Sequence, residues 1–433
     1  MFKKILGGLL AFGVLVLAIF LLIAWESSIE PVSASNSDAF SKEQINRGEV
    51  LAGLGNCETC HTTDPNKPLA GGRAMPTPFG TLYSTNITPD PKTGIGQWSE
   101  EAFARAMREG VARSGSHLFP AFPYTHFTKM SDDDISDLYA YIMSQPAIQA
   151  EPPENTLEFP FNIRLLLAGW KLLFFDEGRY ETDTSKSDVW NRGAYIAEGA
   201  GHCSACHTPR NALGAEDAGK AWDGAIINNW YAPALNASNP TPSSWTETEA
   251  YEYLRNGGSR FHGVAVGSMA DVVHDGLKQA PDNDLRSLAV WLSDLAQASD
   301  EQQASKRSAN AIRAVHNTQN PSVMMDEGER LFTYACAACH YNEADSPSAL
   351  RPDMALNSAI SAPTPINLIR VTLNGVSLKE GLPEAMMPGF SQAMSDRQIT
   401  SLLTYLRATH TDQPAWENLE QHVRDQRPQT QAQ

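Results

Sequence analysis

Basic residues are in short supply. Across 433 residues, 33 Lys and Arg stand against 50 Asp and Glu, for a net charge of −17. Nucleic acid is excluded as a partner, because phosphate backbones are held by basic clusters. The acidity suits either simple solubility or a face that meets a basic patch on another protein. No glycine loop fit to cradle phosphate, no nucleotide-binding signal and no hydrolytic triad can be found, so those chemistries have no residues to carry them. Cysteine is scarce too. There are six, and none stands outside a pair with a spacing of two intervening residues.

One stretch lacks charge altogether. Lys3 and Lys4 precede Ile5 to Trp25, 21 residues without a charged side chain. That length spans a bilayer as a helix and exceeds the core of an ordinary signal peptide. Val32-Ser33-Ala34 offers only a weak cleavage site. The expectation is an uncleaved N-terminal transmembrane helix over 1–30, with the two lysines inside and the body exported.

The cysteine pairs are Cys57 and Cys60, Cys203 and Cys206, Cys336 and Cys339, and a histidine follows each pair at once: His61, His207, His340. In an exported chain paired cysteines ordinarily mean disulfides. The C-x-x-C-H spacing means something else: it is the c-type haem attachment pattern. Two thiols bond the haem, and the adjacent histidine is held against the iron as proximal ligand. Zinc needs four ligands converging from separate pairs, and a redox dithiol needs no histidine at that place. Three covalent haems account for all six cysteines.

The chain also repeats itself. Asn46-Arg47-Gly48, Asn191-Arg192-Gly193 and Glu327-Gly328-Glu329 open a helix before each cysteine pair. Trp98-Ser99-Glu100-Glu101 and Trp245-Thr246-Glu247-Thr248 begin a middle helix, with Gly110 and Gly257 as stops twelve residues after each tryptophan. In the third repeat Ile366 to Asn374 and Gly375 take this place. A closing helix shows one apolar face three times: Ile135, Leu138, Tyr139, Ile142; Leu285, Leu288, Ala289, Leu292; Ile399, Leu402, Leu403, Leu406. Ser131 and Ser395 fit as N-caps, the latter with Gln398 in a capping box. Tyr141, Trp291 and Tyr405 share one slot, which predicts packing against the opening helix.

The fold class expected is all-α: three tandem cytochrome c domains behind an N-terminal transmembrane helix. The domains are placed at 41–150, 188–300 and 321–412. Residues 151–187 read as an apolar linker, 301–320 as a second linker and 413–433 as a loose polar tail.

Methionine is the common sixth ligand of electron-transfer haems. Met269 lies twelve residues after Gly257 and Met387 twelve after Gly375. These two are assigned as axial ligands opposite His207 and His340, with Met386 as the neighbour to be told apart from Met387. Twelve residues after Gly110 stands Phe122, which cannot bind iron. His126 is the substitute expected opposite His61, with Met130, His117 or an open position as alternatives. His/His ligation would lower that haem's potential relative to the other two.

Residues 157–175 are strongly apolar but carry Arg164 and Lys171. They are too charged and short to span. They suit either the membrane interface, with the basic groups at headgroup level, or packing against protein.

Nearly the whole exported chain resembles the three-haem cytochrome c subunits of periplasmic membrane-bound dehydrogenases. The resemblance is carried by the three CxxCH sites, Gly94-Ile95-Gly96-Gln97-Trp98, Leu118 to Tyr124, and Gly201-His202-Cys203-Ser204-Ala205-Cys206-His207-Thr208-Pro209-Arg210-Asn211. It implies a non-catalytic electron-transfer subunit in the bacterial inner membrane, with its haem domains in the periplasm. Such subunits take electrons from a dehydrogenase catalytic subunit and pass them to ubiquinone or a terminal oxidase. Branches paired with quinoprotein alcohol or flavin gluconate dehydrogenases carry methionine where this chain has Phe122. The form Ala-Phe-Pro-Tyr-Thr-His-Phe at 121–127 and the stretch Leu167 to Phe174 are more similar to the branch paired with molybdopterin, iron–sulfur hydroxylases that oxidise aldehydes or N-heterocycles such as nicotinate. A self-contained haem peroxidase is the competing class; it requires an open iron position, which only the first site could offer.

Overall fold

The computed structural model describes residues 2–33, 39–318, 325–340, 351–377 and 386–427. These pack into two compact units, Met1–Thr182 with Tyr195–His202, and Asp183–Ala194 with Cys203–Gln433.

In the first unit the apolar helix runs Phe2–Ala24, 23 residues with a mean hydropathy of 2.9 over its most apolar window, long and apolar enough to cross a membrane. The opening helix Lys42–Leu54 is capped by Ser41, whose hydroxyl accepts from Gln44 N. It lies against the closing helix Asp132–Ser144 at a glycine: a Cβ on Gly48 would fall 2.0 Å from Asp137 O and 2.6 Å from Tyr141 Cβ. Beside this crossing Arg47 donates to both carboxylate oxygens of Asp137, at 2.6 and 2.8 Å. The middle helix Glu100–Glu109 starts on the Ser99 cap and stops at Gly110, in the left-handed region at φ 61°.

The second unit uses the same plan twice. Gly193 on the opening helix Asp188–Glu198 meets Ser287 and Trp291 of the closing helix Asp282–Leu295. Arg192 grips Asp284 with two bonds of 2.8 Å. The middle helix Glu247–Asn256 ends at Gly257, φ 81°. Next, Gly328 on Glu327–Ala335 meets Ser401 and Tyr405 of Asp396–His410. There the ion pair is reversed, with Arg397 on the closing helix and Glu327 on the opening one. All three slot aromatics therefore cover a glycine of the opening helix, and Ser395 with Gln398 forms the full capping box. The two halves of this unit are joined by Asn367, whose side-chain amide accepts from Tyr231 N at 2.8 Å and donates to Tyr231 O at 2.7 Å.

Three segments read as connections are more than that. Residues 301–318 form a helix, Glu301–Thr318, with Ala304, Ser308, Ile312 and Val315 buried along one side. Ile312 and Val315 pack with Phe261, Ala355 and Leu356. The stripe is half alanine and serine, so its apolar periodicity is faint in the sequence. The tail carries the helix Leu419–Gln426, and Leu419 and Val423 enter the core formed by Phe332, Ile369 and Leu403. Arg427 then ties down by donating to Asp396 at 2.5 Å and to Met394 O at 2.9 Å. In the first unit, Thr156–Leu157 adds a strand to the hairpin Ala74–Thr77/Gly80–Tyr83, and Leu166–Phe174 is a helix.

Candidate haem sites

Each CxxCH sits on a short helical turn directly after an opening helix: Cys57–His61, Ser204–His207 and Ala337–His340. On each turn the histidine ring meets a backbone carbonyl from further along the chain. His61 Nδ1 lies 2.6 Å from Thr85 O, His207 Nδ1 2.7 Å from Pro233 O, and His340 Nδ1 3.3 Å from Pro352 O. A carbonyl can only accept, so Nδ1 carries the proton and Nε2 keeps the lone pair. Burial favours the neutral imidazole in all three, against the smaller opposing effect of the carbonyl. A neutral ring whose Nδ1–H is fixed by an outer partner is the form in which histidine binds a metal through Nε2.

The cysteines fit the same group. None of the six is paired in a disulfide. Burial pushes Cys57 and Cys203 up to about 12 and Cys336 to about 11. Among the described residues no three His, Cys, Asp or Glu side chains converge to hold a metal ion. A covalent haem, taken through two sulfurs and one imidazole, is what this donor set suits.

The carbonyl acceptors were not legible beforehand. They follow their histidines by 24, 26 and 12 residues, and any residue type supplies a carbonyl. What holds the first of them is visible only in three dimensions: buried Asn86, next in the chain to Thr85, bonds Thr88 and Ile148 O.

Met269 stands at the start of the turn Ser268–Asp271, half-buried, just after Gly267. A Cβ on Gly267 would strike the Trp230 ring at 2.4 Å, so the loop lies flat against that indole. Met387 pairs with Val376 in the two-residue ladder Val376–Ser377/Met386–Met387. Successive strand residues face opposite ways. Met386 is 81% exposed, while Met387 is partly covered.

In the first unit the candidates separate. His117 donates Nε2–H to Ala24 O at 2.9 Å and accepts from Lys171 Nζ at 3.0 Å, which commits both ring nitrogens. Met130 is 1% exposed and sits in closed packing before the Ser131 cap. Phe122 packs edge-on against Phe127, centroids 5.4 Å apart. His126 is buried on the turn Tyr124–Phe127, and its Nδ1 lies 3.1 Å from Glu198 O. It thus has the proton arrangement of the three CxxCH histidines. His202, unremarked as an individual residue in the sequence, connects it to the attachment turn: its ring is 6.4 Å from His126, and its Nε2 is 3.3 Å from Gly55 O, two residues before Cys57.

The family described as Cytochrome c matches residues 45–146 and 325–410. A nicotinate dehydrogenase subunit of Pseudomonas putida is 45% identical over 92% of this chain, and the chain spans only 33% of that protein's length. The fructose dehydrogenase cytochrome subunit of Gluconobacter japonicus is 33% identical over 87% of this chain and 80% of its own. The gluconate 2-dehydrogenase cytochrome c subunit of Pantoea cypripedii is 34% identical over 87% and 88%. With CxxCH turns of this form, and with the fructose and gluconate dehydrogenase relatives matched over most of both chains, this chain belongs to the cytochrome c subunits of dehydrogenases.

Proposed function

We propose that this chain is a three-haem electron-transfer subunit of a membrane-bound dehydrogenase, organised as three tandem cytochrome c domains. The observation that carries it is the triple recurrence of one arrangement: a CxxCH turn whose histidine gives its Nδ1 proton to a backbone carbonyl. Haem iron, when bound, supplies reversible one-electron chemistry. The chain's own part is to hold and tune it. Cys57, Cys60, Cys203, Cys206, Cys336 and Cys339 anchor the three groups. The carbonyls of Thr85, Pro233 and Pro352 fix the ring planes of His61, His207 and His340 and raise their basicity. Met269 and Met387 would supply the second protein ligand to the haems held by His207 and His340, and His126 would do so for the haem held by His61.

The partner proposed is a molybdopterin, iron–sulfur catalytic subunit, supported by the 45% identity to the nicotinate dehydrogenase relative and by Phe122 in place of methionine. A quinoprotein or flavin partner is the second reading, supported by the sugar and alcohol dehydrogenase relatives. Electrons pass on to ubiquinone or an oxidase. The helix Phe2–Ala24 anchors the chain in the inner membrane, with the haem domains in the periplasm.

Purification from detergent-solubilised membranes tests this. The expected complex contains three haems per chain by pyridine haemochrome, and molybdenum in its largest subunit. Two haems, or a chain that purifies alone, would overturn the haem count or the fixed partnership. His126→Ala in the full chain is expected to remove one low-spin signal from the low-temperature EPR spectrum and leave two. An unchanged spectrum would sink His126 as a ligand.

A further inference from the structure

The helix Leu166–Phe174 is amphipathic the wrong way round for a surface in water. Its basic side chains turn inward. Lys171 donates to the carbonyls of Glu109 and Gly110 and to His117 Nδ1, and Arg164, just before the helix, donates to His117 O at 3.0 Å. Ala168 is buried on that same side. The outward side presents Leu166, Leu172 and Leu173, at 45, 66 and 70% exposure, and Phe159, Phe161 and Ile163 extend the apolar face ahead of it.

Its neighbour says what covers it. A Cβ on Gly169 would lie 3.5 Å from the Phe20 ring of the N-terminal helix. Phe20 is four residues before Ala24, where that helix ends. At 1.5 Å per residue the contact lies about 6 Å inside the apolar span. That is the depth, about 5–10 Å, at which interfacial helices bury their apolar side. The exit of the N-terminal helix is also fastened to the same unit. Ala24 O accepts from His117, Ser27 O from Arg105, and Ile29 exchanges backbone and side-chain bonds with Arg113. The depth is therefore held by the fold and not by a loose tether.

We propose that Leu166–Phe174 is a second membrane element, lying in the outer boundary of the bilayer with Leu166, Leu172 and Leu173 in the lipid, so that the first haem-bearing unit is held against the membrane in one orientation. The inference rests on the N-terminal helix crossing the bilayer. The basic pair, for which the sequence left headgroup and protein surroundings both open, ties the element to the protein.

The full chain carrying p-benzoylphenylalanine in place of Leu173 is irradiated in native membranes. Parallel samples carry it in place of Leu10, on the N-terminal helix, or Asp133, an exposed polar position. The substituted leucines are exposed, so packing is undisturbed. Lipid adducts at position 173 several-fold above those at 133 are expected. A cross-link from 173 to another polypeptide marks a protein-docking face and overturns the proposal. So does a lipid yield at 173 equal to that at 133. If position 10 takes up lipid while 173 does not, only the second element falls; if neither does, the anchor reading falls with it.

Discussion

Gly193→Val is expected to prevent the second unit from reaching its native packing. A side chain at 193 would begin 2.0 Å from Ser287 O and 2.8 Å from Trp291 Cβ. The first of these is backbone, so relief requires the whole helix Asp282–Leu295 to move. That shift strains the paired bonds from Arg192 to Asp284 and the edge-on contact of Trp291 with Trp222, 5.1 Å between centroids. Overpacking a tight site costs about 1–3 kcal/mol in general. With a branched side chain against backbone, a loss of about 3 kcal/mol or more is expected, a large share of the roughly 5–15 kcal/mol that holds an ordinary domain. Gly178→Val is the control, because nothing lies within 4 Å of its added Cβ. Thermal unfolding followed by far-UV circular dichroism should show Gly193→Val melting far below the parent, or not accumulating, with Gly178→Val close to the parent. Equal melting of both variants would mean that the helices do not meet at this glycine.

Glycine at that crossing shows how sequence and fold inform each other. Gly48 and Gly193 follow identical Asn-Arg pairs, and Tyr141, Trp291 and Tyr405 share one helical slot, so the contact was legible as a repeat before any geometry. The same holds for the helix stops at Gly110 and Gly257, whose left-handed φ only glycine adopts freely. Local chemistry writes such features into the chain. Contacts made by backbone do not. Thr85, Pro233 and Pro352 act through carbonyls, and nothing in their side chains announces it. For Lys171 and Arg164 the sequence left headgroups and protein both open, because charge predicts only polarity of surroundings; that backbone carbonyls and His117 satisfy them is a tertiary fact. Helix Glu301–Thr318 escaped because Ala304 and Ser308 pack as well as larger residues where space is small, yet weigh little in a hydropathy pattern.

Met387→His is expected to lower the midpoint potential of one haem while leaving all three attached. Methionine opposite histidine raises the potential relative to histidine on both sides. Axial ligation spans about 0.8 V across haem proteins, so a shift on the order of 0.2 V downward is expected from this single exchange. The backbone should hold still. Met387 is in register with Val376, and Gly375, at φ 76°, lets Met387 O come so close that an added Cβ would be 2.2 Å away. A new side chain at 387 therefore leaves from the same place in the same direction. Met386→His supplies the discriminating comparison, since Met386 is on the opposite, exposed face of the same two-residue strand. Spectroelectrochemical titration of the complex resolves the outcome into one-electron waves. One wave should move in Met387→His and none in Met386→His. If Met386→His moves a wave and Met387→His does not, the ligand is the neighbour, and the twelve-residue offset from Gly375 is not a guide to the third site. If the shift occurs as expected, Met269 inherits the same argument from Gly257. The first site, with Phe122 at that offset, is then the one the offset leaves without methionine, and His126, four residues on, is the ligand proposed for it.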